Sequence, residues 1–447
     1  MPDLLAALLD DLAPIESFPT VDEIRTFALE LADRHPERVS VRDMGSSREG
    51  TPIQLLTLRA TDAQERVLVI GMPHPNEPIG MATIVTLCER LLADPAALDA
   101  SKADWHFVPC ADPDATRLNE GWFAGPWTRE HYFRHFFRPA SDAQVEWTYP
   151  FTAEDGFSGD APLPETRALM AIIDEVRPTV LASLHNGEMG GAYFYATPGS
   201  PGLYPQLAAL CEKHGIPLHL GEPEFPLAEV LAPAVYSCPG AADLYQLTTM
   251  LGVDPTFLVT GANSLDYART YNEPVGVVIE LPYWCDARAS DTSVDASGLT
   301  HREVVVQGAE ETRSSHARLK EIYDAALPLP EGQLSEAVHG WMADNEDAML
   351  EGQLQQAMSD PAFENPVTVA ERFSVVDQLT MIRLRFAGML LRAIPAESPA
   401  RALAEQTFDE WCATAAADDK SSVIPIKDLV AVQGGSIIAA LTTALGR

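Results

Sequence analysis

An α/β fold is predicted, with a mixed, largely parallel twisted sheet, helices on both faces, and an all-α module at the C-terminal end. Three observations predict it. Short apolar runs alternate with amphipathic stretches, which is the order of a parallel sheet with crossover helices. Some of those runs are apolar at every position, as strands covered on both faces are. Beyond residue 330 the strand signals give way to positions that recur every three or four residues.

Thr20-Val-Asp-Glu23 opens the first element, since Thr20 can cap a helix and Glu23 can reach back to it; Pro36 bounds that helix. Val39 to Met44 and Ile53 to Leu58 read as strands joined by the turn Gly45-Ser-Ser-Arg-Glu-Gly50. Arg66 to Gly71 is a buried strand, Met72 to Glu77 a loop, and Pro78 the start of a helix to about Leu92. The pattern recurs with strands at Trp105 to Pro109, Thr179 to Leu184 and Val275 to Leu281, and a helix at Pro164 to Val176. Residues 301 to 324 read as helical, and Pro328-Leu-Pro-Glu-Gly332 as a linker, giving units 1–325 and 326–447. In the second unit Val369, Phe373, Val376, Leu379, Ile382, Phe386 and Met389 mark one buried helical face, and about four helices are expected. The uncharged stretch 429–446 is diluted by Gln433, Gly434, Gly435 and Ser436, so it reads as a terminal core helix rather than a membrane span.

Composition bounds the partners. The chain has 447 residues, 46% of them hydrophobic, with 65 Asp+Glu against 30 Lys+Arg, a net charge of -35. Nucleic acid and anionic membranes call for a basic surface, and no Lys/Arg run supplies one. Only five of the cations are lysines, so most positive charge sits on arginine, which suits planar contacts with carboxylates. Six scattered cysteines with no CxxC read as free thiols in a reducing compartment. The N-terminus has acidic residues where a signal peptide carries basic ones, so a cytoplasmic protein is expected.

Three segments carry chemistry. His74-Pro-Asn-Glu77 lies on the loop after a buried strand, where open α/β sheets bind ligands, and its His and carboxylate can converge on one cation. A surface His and Glu in a proline-rich loop would look the same. Ser183-Leu-His185-Asn186-Gly, at the end of another apolar strand, can supply a third ligand. Two His and one Glu with an open fourth position is a catalytic rather than a structural zinc set. In Gly276-Val-Val-Ile-Glu280 an apolar strand ends on a carboxylate, which is costly there without a partner or a task. Beside a metal ion Glu280 would serve as a general base; a salt bridge is the other reading.

Together these segments resemble the zinc carboxypeptidases of the carboxypeptidase A type. That pattern is H-x-x-E, a later strand-end His, G-x-S-x-D-[WY], and a Glu fourteen residues past the Asp. Here Gly261-Ala-Asn-Ser264-Leu265-Asp266-Tyr267 precedes Glu280 at that spacing. Gly45-Ser-Ser-Arg-Glu-Gly50 and Pro164-Glu-Thr166 extend the resemblance over about residues 16–325. It implies His74, Glu77 and His185 as ligands of one Zn2+ per chain, Glu280 as general base, and Arg117, after Asp112-Pro-Asp-Ala115, as the arginine that polarises the scissile carbonyl. For substrate contacts it points to Arg134 in Phe133-Arg-His-Phe136, with Arg138, Asn186, Leu265 and Asp266 as further candidates. Leu258 stands where that branch places a tyrosine; Tyr193, Tyr195, Tyr267 and Tyr271 are the hydroxyls that could replace it.

The expected function is zinc-dependent hydrolysis of an amide or peptide bond in a small peptide or acyl-amino acid bearing a carboxylate. An aspartoacylase-type N-acyl amino acid deacylase is the alternative, and a non-catalytic binding protein with a retained metal pocket the second. A homo-oligomer through the C-terminal helices stays open. His131 and His135 have helical metal-pair spacing but lack a glutamate between them and are not taken as ligands.

Overall fold

The structure, a computed structural model, describes residues 5, 7–343 and 346–446, without the side chains of residues 257 and 346–349. The N-terminal reading falls partly on residues 1–4 and 6, outside the described residues.

The sheet has nine strands: β1 (Val39–Ser46), β2 (Pro52–Leu58), β3 (Glu65–Gly71), β4 (Ala103–Val108), β5 (Val180–His185), β6 (Tyr193–Ala196), β7 (Val230–Ala232), β8 (Val235–Ser237) and β9 (Val275–Glu280). Their spatial order is β1-β2-β4-β3-β5-β9-β6-β8-β7. The central pairs β4·β3, β3·β5 and β5·β9 are parallel, while β1·β2, β2·β4, β9·β6 and β7·β8 are antiparallel. The sheet is therefore mixed with a parallel centre, as expected. Strands β6 to β8, three or four residues long, are too short to leave a periodic signal and were not expected.

Side-chain alternation splits the core. Along β3, Val67 and Val69 enter one apolar cluster and Leu68 and Ile70 the other. The first face is covered by α1 (Val21–Arg34), α2 (Ile79–Ala93) and α4 (Tyr204–Lys213); the second by α3 (Pro164–Val176) and α5 (Ala241–Leu251). At the start of α1 the expected capping box forms, Thr20 N–H donating to Glu23 Oε2 at 2.8 Å.

The later helices are α6 (His301–Ala326), α7 (Gln333–Ala343), α8 (Glu346–Ser359), α9 (Val369–Ala393), α10 (Arg401–Ala417) and α11 (Ile426–Leu445). The described residues thus hold five helices past residue 330, one more than expected. Packing runs across position 325/326 in both directions. α6 lies against α8, α9 and α10, whereas α11 returns to the sheet and packs on α2, α4, β5 and β9. α11 is long and apolar enough to cross a membrane, yet 72% of its apolar window is buried inside the protein, as in a core helix.

In α9 the expected apolar stripe is displaced. Val376 is exposed and Leu379 and Ile382 are half-buried, while the inward face of the first turns carries Ser374, Asp377 and Thr380. Polar residues occupy inner positions there because each has a partner. Ser374 Oγ accepts from Glu222 N–H, Asp377 meets Arg129, and Thr380 bonds its own helix.

Candidate metal and substrate site

His74 and Glu77 stand on the loop between β3 and α2, His185 is the last residue of β5, and Glu280 the last of β9. Register brings them together: Gly71 is opposite Leu184, and Glu280 opposite His185. Neighbouring strands lie about 4.8 Å apart, so side chains leaving their carboxyl ends converge. In the loop, Glu77 N–H donates to His74 C=O at 3.2 Å, a turn that sets both side chains toward β5. Fully buried Met72 has φ 54°, a left-handed conformation that a non-glycine residue holds at a cost of roughly 1–3 kcal/mol.

The cluster is tight and dry. His185 Nδ1 lies 3.1 Å from Glu77 Oε2 and 3.6 Å from Glu280 Oε1, and the His74 and His185 rings meet edge to face at 5.0 Å. One donor atom from each of His74, Glu77 and His185 falls within 4.8 Å of the others. All three are buried; His74 Nδ1 has no hydrogen-bond partner, and Glu77 Oε2 has none beyond the 3.1 Å contact with His185 Nδ1. Buried polar atoms left unpaired cost about 1–3 kcal/mol each. A divalent ion taking imidazole nitrogen and carboxylate oxygen would satisfy them together, so the donor set fits zinc.

Titration follows the geometry. Burial, then the charge of Arg138, holds the His74 imidazole well below its usual value, so it is neutral and able to ligate. For His185, burial opposes the charged form but Glu280 and Glu77 outweigh it and raise the group to about 9; a metal ion on the same atoms would displace that proton. Burial, with Glu77 and Glu224 nearby, keeps the Glu280 carboxyl well above the ordinary range despite His185. A carboxyl whose affinity for a proton is raised suits proton transfer.

Around the cluster lies a cleft of about 1610 Å³ between the sheet ends and helices α6 to α9. Leu265 and Asn186 line it, as does Arg138, whose Nη1 donates to Glu77 Oε1 at 3.3 Å. The other candidates stand elsewhere or are engaged within the protein. Arg117 does not line the cleft: its guanidinium bonds Asp22 on α1 at 2.8 Å. Arg134 pairs with Glu130 and with Asp409 on α10 and lies over the Phe408 ring, so it ties two helices together. The Asp266 carboxylate accepts from Ala241 N–H at 2.9 Å at the start of α5, and Asp266 does not line the cleft. Asn186 uses its amide internally, donating to the His185 carbonyl and accepting from Ile79 N–H and Tyr283 OH. Of the four tyrosines weighed against Leu258, Tyr193 and Tyr195 line the cleft, while Tyr267 and Tyr271 both bond Asp174 elsewhere.

Several functional neighbours had gone unnoticed. Glu146 is buried at the cleft wall, accepting from Ser264 Oγ at 2.9 Å, with Oε2 unpartnered. Fully buried Gln433 on α11 donates Nε2–H to the His185 carbonyl at 3.0 Å and accepts from Thr83 Oγ at 2.9 Å. It is the sole amide in an otherwise uncharged helical stretch, which is a signal visible in the sequence. Glu188, three residues past His185, accepts from Tyr132 OH at 2.6 Å and from Arg385 of α9 at 2.8 Å. Nothing in the sequence marks Arg385, because its role depends on how α9 docks.

Part of the chain is similar to known proteins. Residues 24–215 match the zinc carboxypeptidase family model, a span that holds His74, Glu77 and His185 and ends before Glu280. Zinc carboxypeptidase A 1 of Anopheles gambiae is 27% identical over 178 residues, 36% of this chain and 40% of that protein. Carboxypeptidase B of Astacus astacus is 31% identical over 101 residues, 22% of this chain and 33% of that protein. The chain thus spans less than half the length of either curated relative. Among solved structures, carboxypeptidase A from Helicoverpa armigera aligns with TM-score 0.38 and 17% identity, covering 64% of this chain and 71% of that one. A metallo-carboxypeptidase from Burkholderia cenocepacia aligns with TM-score 0.37 and 15% identity, covering 58% and 59%. At those scores the fold rests on the sheet itself. The family match, over less than half of the chain, and the curated relatives show that this chain is similar to the zinc carboxypeptidases.

Proposed function

We propose that the chain is a zinc-dependent hydrolase that cleaves an amide bond in a small peptide or acyl-amino acid carrying a free carboxylate. The carrying observation is the convergence of His74, Glu77 and His185 with Glu280 Oε1 only 3.6 Å from His185 Nδ1, at the ends of paired strands. His74, Glu77 and His185 would hold one Zn2+ per chain, which supplies Lewis acidity and lowers the pKa of water. Glu280 takes the proton of the attacking water as its oxygen bonds the amide carbon. It then delivers that proton to the amine nitrogen as the C–N bond breaks, leaving a carboxylic acid and an amine. Arg138, which lines the cleft and is fixed to Glu77 and Gln144, would stabilise negative charge on the carbonyl oxygen. Six free thiols fit a reducing cytoplasm.

Leu258 in the cleft wall favours a second reading, an N-acyl amino acid deacylase, since no hydroxyl stands at that position. A panel of N-acyl amino acids and N-acyl dipeptides, offered to zinc-loaded protein, separates the two. Release of the C-terminal residue from dipeptides is expected. Release from N-acyl amino acids alone selects the deacylase. The variant Glu280→Gln should keep zinc and lose at least about 10²-fold in kcat; undiminished turnover would remove Glu280 from the mechanism.

A further inference from the structure

Among the described residues, eight glutamates and three arginines line the cleft, so a substrate carboxylate entering it meets a repulsive wall. It needs a local cation. Arg138 uses Nε on Gln144 and Nη1 on Glu77. Arg383 pairs with Glu311. Arg385 differs from both. Its one hydrogen bond among the described residues runs from Nε–H to Glu188 Oε1, which leaves both Nη nitrogens without one. The guanidinium lies over the Phe136 ring at 5.3 Å, which fixes its plane.

A chain of contacts sets that plane relative to the ligand loops. The Glu188 oxygen that accepts from Arg385 also accepts from Tyr132 OH, and Tyr132 OH accepts from Asn76 Nδ2 at 3.2 Å. Asn76 lies between His74 and Glu77, and Glu188 follows His185, so both ligand segments brace the arginine.

We propose that Arg385, carried by helix α9, receives the substrate carboxylate through its two free Nη–H groups, so that the C-terminal helices complete the substrate site. This rests on the hydrolase reading above. A guanidinium end presents two parallel N–H bonds to a carboxylate, and Glu188 occupies only the Nε side.

The test compares N-benzoylglycyl-leucine with its C-terminal amide on zinc-loaded full-length protein. It adds calorimetric binding of N-acetyl-leucine and N-acetyl-leucine amide. The wild type should prefer the free acids by about 10²-fold. Arg385→Gln should abolish that preference, mainly through KM, with zinc content and amide binding unchanged. Arg385→Lys, which keeps the ion pair with Glu188, should retain no more than about a tenth of the preference. It decides the matter if the Gln variant does not fold. Retained preference in the variants overturns the assignment while leaving the hydrolase reading intact. Binding of the free acid that depends on Arg385, without any hydrolysis by the wild type, upholds the anchor and defeats the hydrolase reading. Equal binding of acid and amide by the wild type overturns the anchor.

Discussion

Helices α9 and α11 both lie beyond the residues matched to the family model, and both are long, yet they meet the site in opposite ways. α11 carries no charge from Leu429 to Gly446 and sits against α2, β5 and β9. Its buried polar group, Gln433, is satisfied at both ends, so it is scaffold: it holds the carbonyl of His185 and leaves nothing free for a ligand. α9 carries four arginines, at 372, 383, 385 and 392, and lies between the cleft and the Arg129–His135 helix. One of them, Arg385, keeps one edge open. The lesson is that a buried polar group with every partner supplied rigidifies a site, whereas one left half-paired beside a cavity is where a ligand belongs.

Three substitutions sharpen the contrast. The largest effect is expected at Gly388 in α9, where an added Cβ would run into the backbone carbonyl of Phe133. Backbone cannot swing aside, so Gly388→Ala should lose about 3 kcal/mol or more in urea unfolding; an unchanged midpoint would mean that α9 is not seated as described. Gln433→Ala, on α11, leaves the His185 carbonyl and the Thr83 hydroxyl without their partner. A loss of about 2 kcal/mol is expected, with zinc affinity lowered roughly tenfold as His185 loosens. Normal zinc affinity in that variant would make Gln433 a stability residue alone. The smallest effect is expected for Gly434→Ala. Its Cβ meets the end of the Leu9 side chain at 2.8 Å, which can rotate, and alanine favours helix by about 1 kcal/mol over glycine. A net change within about 1 kcal/mol follows, and a loss comparable to Gly388→Ala would show that α11 packs as rigidly as α9.

The contrast also explains what the sequence disclosed. His74, Glu77, His185 and Glu280 were legible because each stands at or just past the carboxyl end of an apolar strand, so local pattern and spacing place them. Arg117, Arg134 and Asp266 do not line the cleft, and local pattern could not show it. Each can serve a ligand or a structural carboxylate or amide, and Asp22, Asp409 and the N-terminus of α5 lie far from them in sequence. In α9 the apolar stripe misled because Ser374, Asp377 and Thr380 turn inward with partners, pushing Leu379 and Ile382 to the cleft. Arg385 was invisible because its meaning comes from the 197 residues that separate it from Glu188. Pairings of that range leave no periodic trace.

The proposed hydrolysis depends on one metal ion held by His74, Glu77 and His185. The direct measurement is anomalous diffraction at the zinc edge from crystals of zinc-loaded protein. A single anomalous peak per chain is expected at that cluster, within about 2.0–2.2 Å of an atom from each of the three side chains. An anomalous peak elsewhere, or none at this cluster with zinc in excess, would contradict the assignment.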